Sequence, residues 1–279
     1  GKKIGMKIDS LFNLSGKVAV LTGACGVLGS QIACSLAQNG VNVALLDIET
    51  GLDKKIQKSL EDSNGDYIVI KCDVLDKASL TQAFNIVIEK FGNVDILING
   101  AGGNHPDATT SDKQSFFSIP AETFDKVIQL NLTGTVLASQ VFGEYFAQKD
   151  RGNILNISSM NAFSPLTRIP AYSAAKAAVS NFTQWLAVHM VREYSSYIRV
   201  NAIAPGFFLT RQNQFLLKDK QTGKLTERGD TIIKHTPMGR FGNPEDLMGS
   251  IFWLLSDASA FITGITVPVD GGFSAFSGV

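Results

Sequence analysis

From residue 17 onward, short apolar β-rich runs alternate with longer amphipathic stretches, and this rhythm restricts the fold more than any other feature of the chain. Runs at 17–22, 41–46, 67–71, 94–98, 153–157, 198–202 and 265–269 read as strands. Most are apolar nearly throughout rather than alternating, which suits parallel strands covered on both faces. Helical periodicity fills 28–39, 51–63, 77–91, 121–148, 172–195 and 244–256, and Pro244 followed by Glu245 and Asp246 is a sound helix start. The alternation predicts an α/β fold: a seven-stranded, doubly wound parallel sheet flanked by helices, with right-handed crossovers.

No linker, repeat or low-complexity segment interrupts the pattern, so one domain is expected over 16–279, with 1–15 as an N-terminal extension. Residues 1–5, ahead of Met6, are set aside as a vector-derived remnant. A chain of 279 residues buries roughly three-quarters of its unfolded surface and needs no staples. Its 25 Lys and Arg balance 25 Asp and Glu, and no stretch is strongly basic, which argues against nucleic acid as the partner. Zero net charge does little to keep subunits apart. Cys25, Cys34 and Cys72 are an odd set at no metal-ligand spacing, and His105, His189 and His235 are scattered, so no protein metal site is expected. With no apolar run long enough to span a bilayer and no signal-peptide order at the N-terminus, the expected location is the cytoplasm.

Ligands of such sheets lie beyond the carboxyl ends of the strands, where strand order reverses. Two stretches there, 100–120 and 205–243, are too long for plain connections and should border that crevice. The first strand runs into TGACGVLG at 22–29 and then a helix. A glycine-rich turn of this kind lets backbone N–H groups approach a pyrophosphate, which the positive helix end also attracts. Asp47 closes the second strand, where a carboxylate can accept both hydroxyls of an adenosine ribose and repel a 2′-phosphate. The pair predicts NAD(H) as the cofactor.

Tyr172 and Lys176, four apart on a predicted helix, share one face, and Ser159 lies 13 residues earlier, just past the fifth strand. Exchanging hydride with a ketone or carbinol requires a proton to move at oxygen. A phenol is a poor base at neutral pH. An ammonium about 4 Å from it, at an effective dielectric near 20, would favour the phenolate by roughly 4 kcal/mol and lower its pKa by up to about 3 units. Ser159 would hydrogen-bond the substrate oxygen as charge develops. Ser159 lies outside any G-x-S-x-G elbow, which argues against a hydrolase.

Together these features resemble the short-chain dehydrogenase/reductase family, with a Rossmann fold, over residues 16–273. Gly23 and Gly29 match its T-G-x-x-x-G-x-G turn, but Val27 stands at the middle glycine and Gly26 one place earlier, so the loop should turn differently. Asn99-Gly100-Ala101-Gly102 resembles N-N-A-G with Gly100 for the second asparagine. Asp73-Val74 sits where the family contacts adenine, and Pro205-Gly206 with Thr210 resembles the segment holding the nicotinamide carboxamide. The resemblance implies cofactor contacts at Gly23, Cys25, Gly26, Leu28, Asp47, Ile48, Asp73, Val74, Asn99, Ala101, Tyr172, Lys176, Pro205, Gly206, Phe208 and Thr210. It also implies that Asn131 anchors a water beyond Lys176 to complete a proton relay, that Lys176 holds the nicotinamide ribose, and that the enzyme is a homotetramer with 273–279 near a subunit contact.

The crevice loops narrow the resemblance to the D-mannonate oxidoreductase (fructuronate reductase) branch, with related activities such as gluconate 5-dehydrogenase as the alternative. A sugar acid needs a cation for its carboxylate, and Arg168 and Arg211 are the two arginines on crevice loops. Asn104, His105, Asn161 and Asn213 are the expected partners of its hydroxyls, and Ser159 of its reacting oxygen.

Overall fold

The computed structural model describes residues 7–209, 217, 219 and 222–278. Seven strands, β1 (Val18–Thr22), β2 (Asn42–Asp47), β3 (Tyr67–Lys71), β4 (Ile96–Asn99), β5 (Gly152–Ile157), β6 (Ile198–Pro205) and β7 (Thr266–Val269), form one sheet. Their order is β3-β2-β1-β4-β5-β6-β7, and every pairing is parallel. This is the expected single-domain, doubly wound Rossmann arrangement. The order reverses between β1 and β4, so the crevice opens beyond Thr22 and Asn99. The sixth strand runs to Pro205 because Pro205 still pairs with Val269. Pro268 is tolerated because β7 is an edge strand, where a missing N–H breaks no ladder.

Consecutive strand residues feed opposite layers, which explains their unbroken apolar character. On one face Leu21, Leu45, Ile98 and Leu155 pack with Ile32 and Leu36 of α2 (Val27–Gln38), and with Ile251 and Leu254 of a helix near the C-terminus. On the other, Val20, Leu46, Leu97 and Ile154 pack with Leu80 and Val87 of α4 (Lys77–Phe91) and with Phe142 and Phe146. A short helix, α1 (Ile8–Leu11), precedes β1, and packing begins just ahead of position 16, because Leu14 is buried in the first layer.

Caps set most helix limits. Asp53 accepts the Lys55 N–H and starts α3 (Lys54–Glu61) three residues later than periodicity implies. Pro170 opens the long helix α7 (Pro170–Glu193), two residues earlier than expected, because its fixed φ suits a first helical turn. The expected helix 121–148 is split into α5 (Ala121–Ile128) and α6 (Gly134–Gln148) by a π turn at Gln129–Thr133, which carries Asn131. Such turns are uncommon and concentrate at functional sites. Beyond β6 lies α8 (Glu227–Lys234). The last expected helix is a 3₁₀ turn at Pro244–Leu247 followed by α9 (Met248–Leu255), with Asp246 accepting the Asn243 N–H. No helix among the described residues is long and apolar enough to cross a membrane.

Candidate active site

Beyond β1 the chain passes so close to the β4 loop that only glycine fits. Gly23 has φ +63°, and a Cβ there would stand 2.7 Å from the Ala101 backbone. A Cβ on Gly29 would stand 2.5 Å from the Gly23 carbonyl oxygen. Thr22 joins the two loops, its hydroxyl accepting the N–H groups of Gly100 and Ala101, both at 3.2 Å. Gly100 is tight for the same reason, since a Cβ would meet the Thr22 carbonyl oxygen at 2.8 Å. Gly26 is the N-cap of α2 and Val27 its first residue, in ordinary conformation, so valine enters without distortion. No side chain caps that turn, which leaves backbone N–H groups and the helix end for an anion. Asp47 faces the loop from the end of β2: one oxygen accepts the Cys25 N–H at 3.0 Å, the other the Glu49 N–H at 3.2 Å. Each oxygen keeps a lone pair, so this cradle fits a pyrophosphate with a ribose diol beside it.

Past the end of β5, Ser159 caps a 3₁₀ turn at Met160–Ala162, and one helical turn separates Tyr172 from Lys176 on α7. The Ser159 hydroxyl is near enough to Tyr172 to act on the phenol's pKa. The Lys176 ammonium donates to the Ile157 carbonyl oxygen at 2.7 Å and stands over the Tyr172 ring, 5.6 Å from its centroid. The i,i+4 spacing puts both side chains on one face, and the Ile157 carbonyl anchors the ammonium there. Burial pushes the Tyr172 phenol up, with the Ser159 hydroxyl opposing it, and burial pushes Lys176 down to about 8. Asn131 reaches the same spot from the π turn. Its Nδ2 donates to the carbonyl oxygens of Gly103 (2.7 Å) and Val127 (2.8 Å), and its Oδ1 accepts the Gly103 N–H at 3.1 Å. A Cβ on Gly102 would lie 2.5 Å from that Oδ1 and 3.2 Å from the Lys176 Nζ. Four elements thus converge on one crevice at the switch point, where a proton can be moved beside a dinucleotide cradle.

A family model described as Enoyl-(Acyl carrier protein) reductase, one of those for short-chain dehydrogenases/reductases, matches residues 23–274. The chain is a short-chain dehydrogenase/reductase. It is 50% identical to the oxidoreductase UxuB of Bacillus subtilis (strain 168), itself uncharacterised, over 96% of this chain and 98% of that one. A crystal structure from Haemophilus influenza, described provisionally as a D-mannonate oxidoreductase and with bound NAD, is 45% identical with a TM-score of 0.88, covering 98% of this chain and all of that one. The 2-dehydro-3-deoxy-D-gluconate 5-dehydrogenase of Escherichia coli (strain K12) is 33% identical over 96% of this chain and 99% of its own.

The remaining predicted residues of this dehydrogenase/reductase divide sharply. Leu28 lies in the first turn of α2 and Ile48 is exposed beside Asp47. Asp73 caps a turn by accepting the Leu75 N–H, and buried Val74 packs against Gly134. Asn99 is buried, bonded to Asn156 and Ser139, and acts as a brace within the sheet. Gly206 bonds to Val269, and the Phe208 ring is buried against Gly242. Exposed Asn104 donates to Thr109, and the Nδ1 of half-buried His105 accepts the Asp107 N–H. Arg168 is exposed, and its carbonyl accepts the Thr110 N–H at 2.9 Å, tying the two crevice loops together. Asn161 is not available to a substrate hydroxyl: it is buried, and its amide is taken by Ser159, Leu166 and Ser173. Thr210, Arg211 and Asn213 lie outside the described residues. Sequence reading missed Thr22, Gly102, Gly103 and the Ile157 carbonyl, because a backbone acceptor and a close approach leave no side-chain signature.

The depressed Lys176 pKa has a definite sign. Folding favours the neutral amine, so below pH 8 the buried charge costs stability; from about 8 to the ordinary 10.5 the unfolded chain binds the extra proton and stability from this group rises with pH. Lys176→Met should therefore raise Tm relative to wild type at pH 7, with the advantage shrinking towards pH 10. Thermal melts of both proteins across that range check it, and a difference independent of pH would contradict it.

Proposed function

We propose that the protein interconverts D-fructuronate and D-mannonate, with NAD(H) as the hydride carrier. The observation that carries the reading is the gathering of Ser159, Tyr172 and buried Lys176 past the end of β5, with the Lys176 ammonium on the Ile157 carbonyl and over the Tyr172 ring, at the mouth of a nucleotide cradle. Bound nicotinamide supplies or accepts the hydride; the chain supplies the proton and the geometry. Ser159 donates to the reacting oxygen, and Tyr172 delivers its proton there in reduction or takes one in oxidation. Lys176 holds the ribose of the nicotinamide half, and Asn131 anchors the relay beyond it. Cofactor contacts are assigned to the cradle, Gly23 to Leu28, to Asp47 and Ile48, and to the β6 end. The D-mannonate assignment is supported by the Haemophilus structure's description, and the gluconate-type alternative by the Escherichia coli relative. The three unpaired cysteines support a cytoplasmic enzyme. A homotetramer is supported by exposed aromatic surface on α7, where Trp185 stacks between Phe182 and His189.

Asp47 sets the cofactor preference. No Arg or Lys occurs at 48–52 to receive a 2′-phosphate, so wild type should strongly prefer NADH. Asp47→Ala should narrow that preference, through weaker NADH binding and reduced rejection of NADPH, in side-by-side kinetics. Equal use of both by wild type would sink this role for Asp47.

The activity is tested by assaying NADH oxidation over fructuronate, 2-dehydro-3-deoxy-gluconate and a neutral ketose of similar shape. Tyr172→Phe should abolish turnover and leave NADH binding largely intact; retention of more than a few per cent of the rate would defeat the mechanism. Arg168, and Arg211 by its place next to Thr210, are proposed to hold the substrate carboxylate. A charge-assisted contact is worth about 1.5–3 kcal/mol, so replacement by Ala should lower kcat/KM for fructuronate roughly 10- to 150-fold. Most of the loss should fall on KM, because a remote carboxylate is held alike in ground and transition states. If both variants keep the wild-type preference for the acid over the neutral ketose, the carboxylate binds elsewhere, and His105 is the next candidate.

A further inference from the structure

We infer that Asn161 is a positioning residue that makes Ser159 an obligate hydrogen-bond donor to the reacting oxygen. The orientation of its amide follows from its partners. Leu166 presents a backbone N–H, which can only donate, so the group facing it at 3.2 Å must be Oδ1. The Ser173 hydroxyl donates to the same oxygen at 3.1 Å. Nδ2 is thereby turned to Ser159, donating to its Oγ at 3.0 Å, while the Asn161 backbone N–H donates to the same Oγ at 3.2 Å. A serine oxygen has two acceptor sites and one proton. Two donors from Asn161 fill both acceptor sites, so the remaining capacity of Ser159 is to give its proton away.

This matters because of what Ser159 must not do. If it could accept from the Tyr172 hydroxyl, the phenol proton would be aimed at serine rather than at the substrate oxygen. With that route closed, serine and tyrosine both point protons at a ketone oxygen, and in the reverse direction serine supports the phenolate. The device is buried: Ser159 and Asn161 are 6% and 7% exposed, so water does not compete for these sites. Ser173 follows Tyr172 directly on α7, so the same amide ties the serine turn to the helix carrying the tyrosine.

The inference rests on the oxidoreductase reading, and its test separates the two. In Asn161→Leu, charge-neutral and of similar size, kcat should fall roughly 10- to 100-fold, a loss of the kind seen when a donor to the developing charge is compromised. NADH affinity and substrate KM should stay within about twofold. The rising limb of alcohol oxidation against pH should move to higher pH by about one unit, because Ser159 is no longer held as a donor to the phenolate. Asn161→Asp, which keeps the acceptor for Leu166 and Ser173 but has no side-chain N–H, should show the kcat loss with less change in Tm, and stands in if the leucine variant folds poorly. The deciding measurement is a double-mutant cycle with Ser159→Ala. If Asn161 acts through Ser159, replacing it in the Ser159→Ala background should cost less than about threefold. Equal losses in both backgrounds, or a pH profile unmoved in the single variant, would overturn the proposal. Because the cycle compares backgrounds on one substrate, a wrong choice of sugar acid changes every rate but not the coupling.

Discussion

The structure turns on how closely the chain after β1 approaches the chain after β4. There the Thr22 hydroxyl accepts two N–H groups from the opposite loop, and Gly23 lies against the Ala101 backbone with no room for a side chain. This contact sits where strand order reverses, so it defines the floor of the crevice and the spacing between its two halves. The nucleotide cradle hangs from one side of it, through Gly23 and α2. The Asn99–Gly103 loop leaves from the other and reaches Asn131 and Lys176. A shift of either loop would therefore move the cradle and the proton-handling groups relative to each other, and effective transfer tolerates little misplacement.

The side of the crevice that carries Ser159, Lys176 and Asn131 is held together by hydrogen bonds among buried groups. Lys176 is fully enclosed and tethered to the Ile157 carbonyl, at the strand end that leads into Ser158 and Ser159. The Ser158 hydroxyl donates to the Lys176 carbonyl and accepts from the Ser180 hydroxyl, so the strand end is pinned to the helix beside the lysine. Asn131 arrives through a π turn, whose extra residue rotates its amide onto Gly103, and the Thr135 hydroxyl takes up the Asn131 carbonyl. Burying an ammonium this way is unfavourable for stability, and its depressed pKa is the measure of that cost. The arrangement persists because the surrounding bonds over-determine it, which is the usual condition for strain kept at a functional site.

Much of this was legible in the sequence, and the reason is physical in each case. Strands covered on both faces must be apolar throughout, so all seven appeared as apolar runs, and a glycine forced by a backbone approach appears as Gly23 or Gly29. Asp47, Ser159, Tyr172 and Lys176 could be placed because element ends and helical spacing fix Cα positions. Spacing does not show what anchors a long side chain, and so the Ile157 carbonyl that holds the Lys176 ammonium left no sign in the sequence. Nor does residue type reveal whether an amide on a crevice loop faces outward. Asn104 and Asn161 look equivalent in sequence, but Asn104 is exposed and Asn161 is consumed by three protein partners. The π turn was likewise hidden, since a continuous apolar periodicity over 121–148 gives no sign of one extra residue per turn.

The two halves of the crevice differ in how firmly they are held, and the difference has a functional sense. Ser159, Tyr172, Lys176 and Asn131 sit past a strand end, on a long helix and on a π turn, and Ser159, Lys176 and Asn131 are held by hydrogen bonds to buried groups. Among the described residues, Asn104 and Arg168 are exposed, and a backbone bond from Thr110 to Arg168 joins the 100–120 stretch to the loop before α7. Asn104 and His105 each spend one polar group on their own loop. Proton transfer tolerates sub-ångström error poorly, so its groups belong on rigid elements. Recognition of one polyol acid over another depends on a few peripheral hydrogen bonds, which loops can exchange without disturbing the chemistry. Relatives named for a sugar acid and for different alcohols match nearly the whole chain at 31–33% identity. The division also makes Asn161 the junction between the halves: it belongs to a crevice loop by sequence, but its bonds to Ser159 and Ser173 place it with the rigid one.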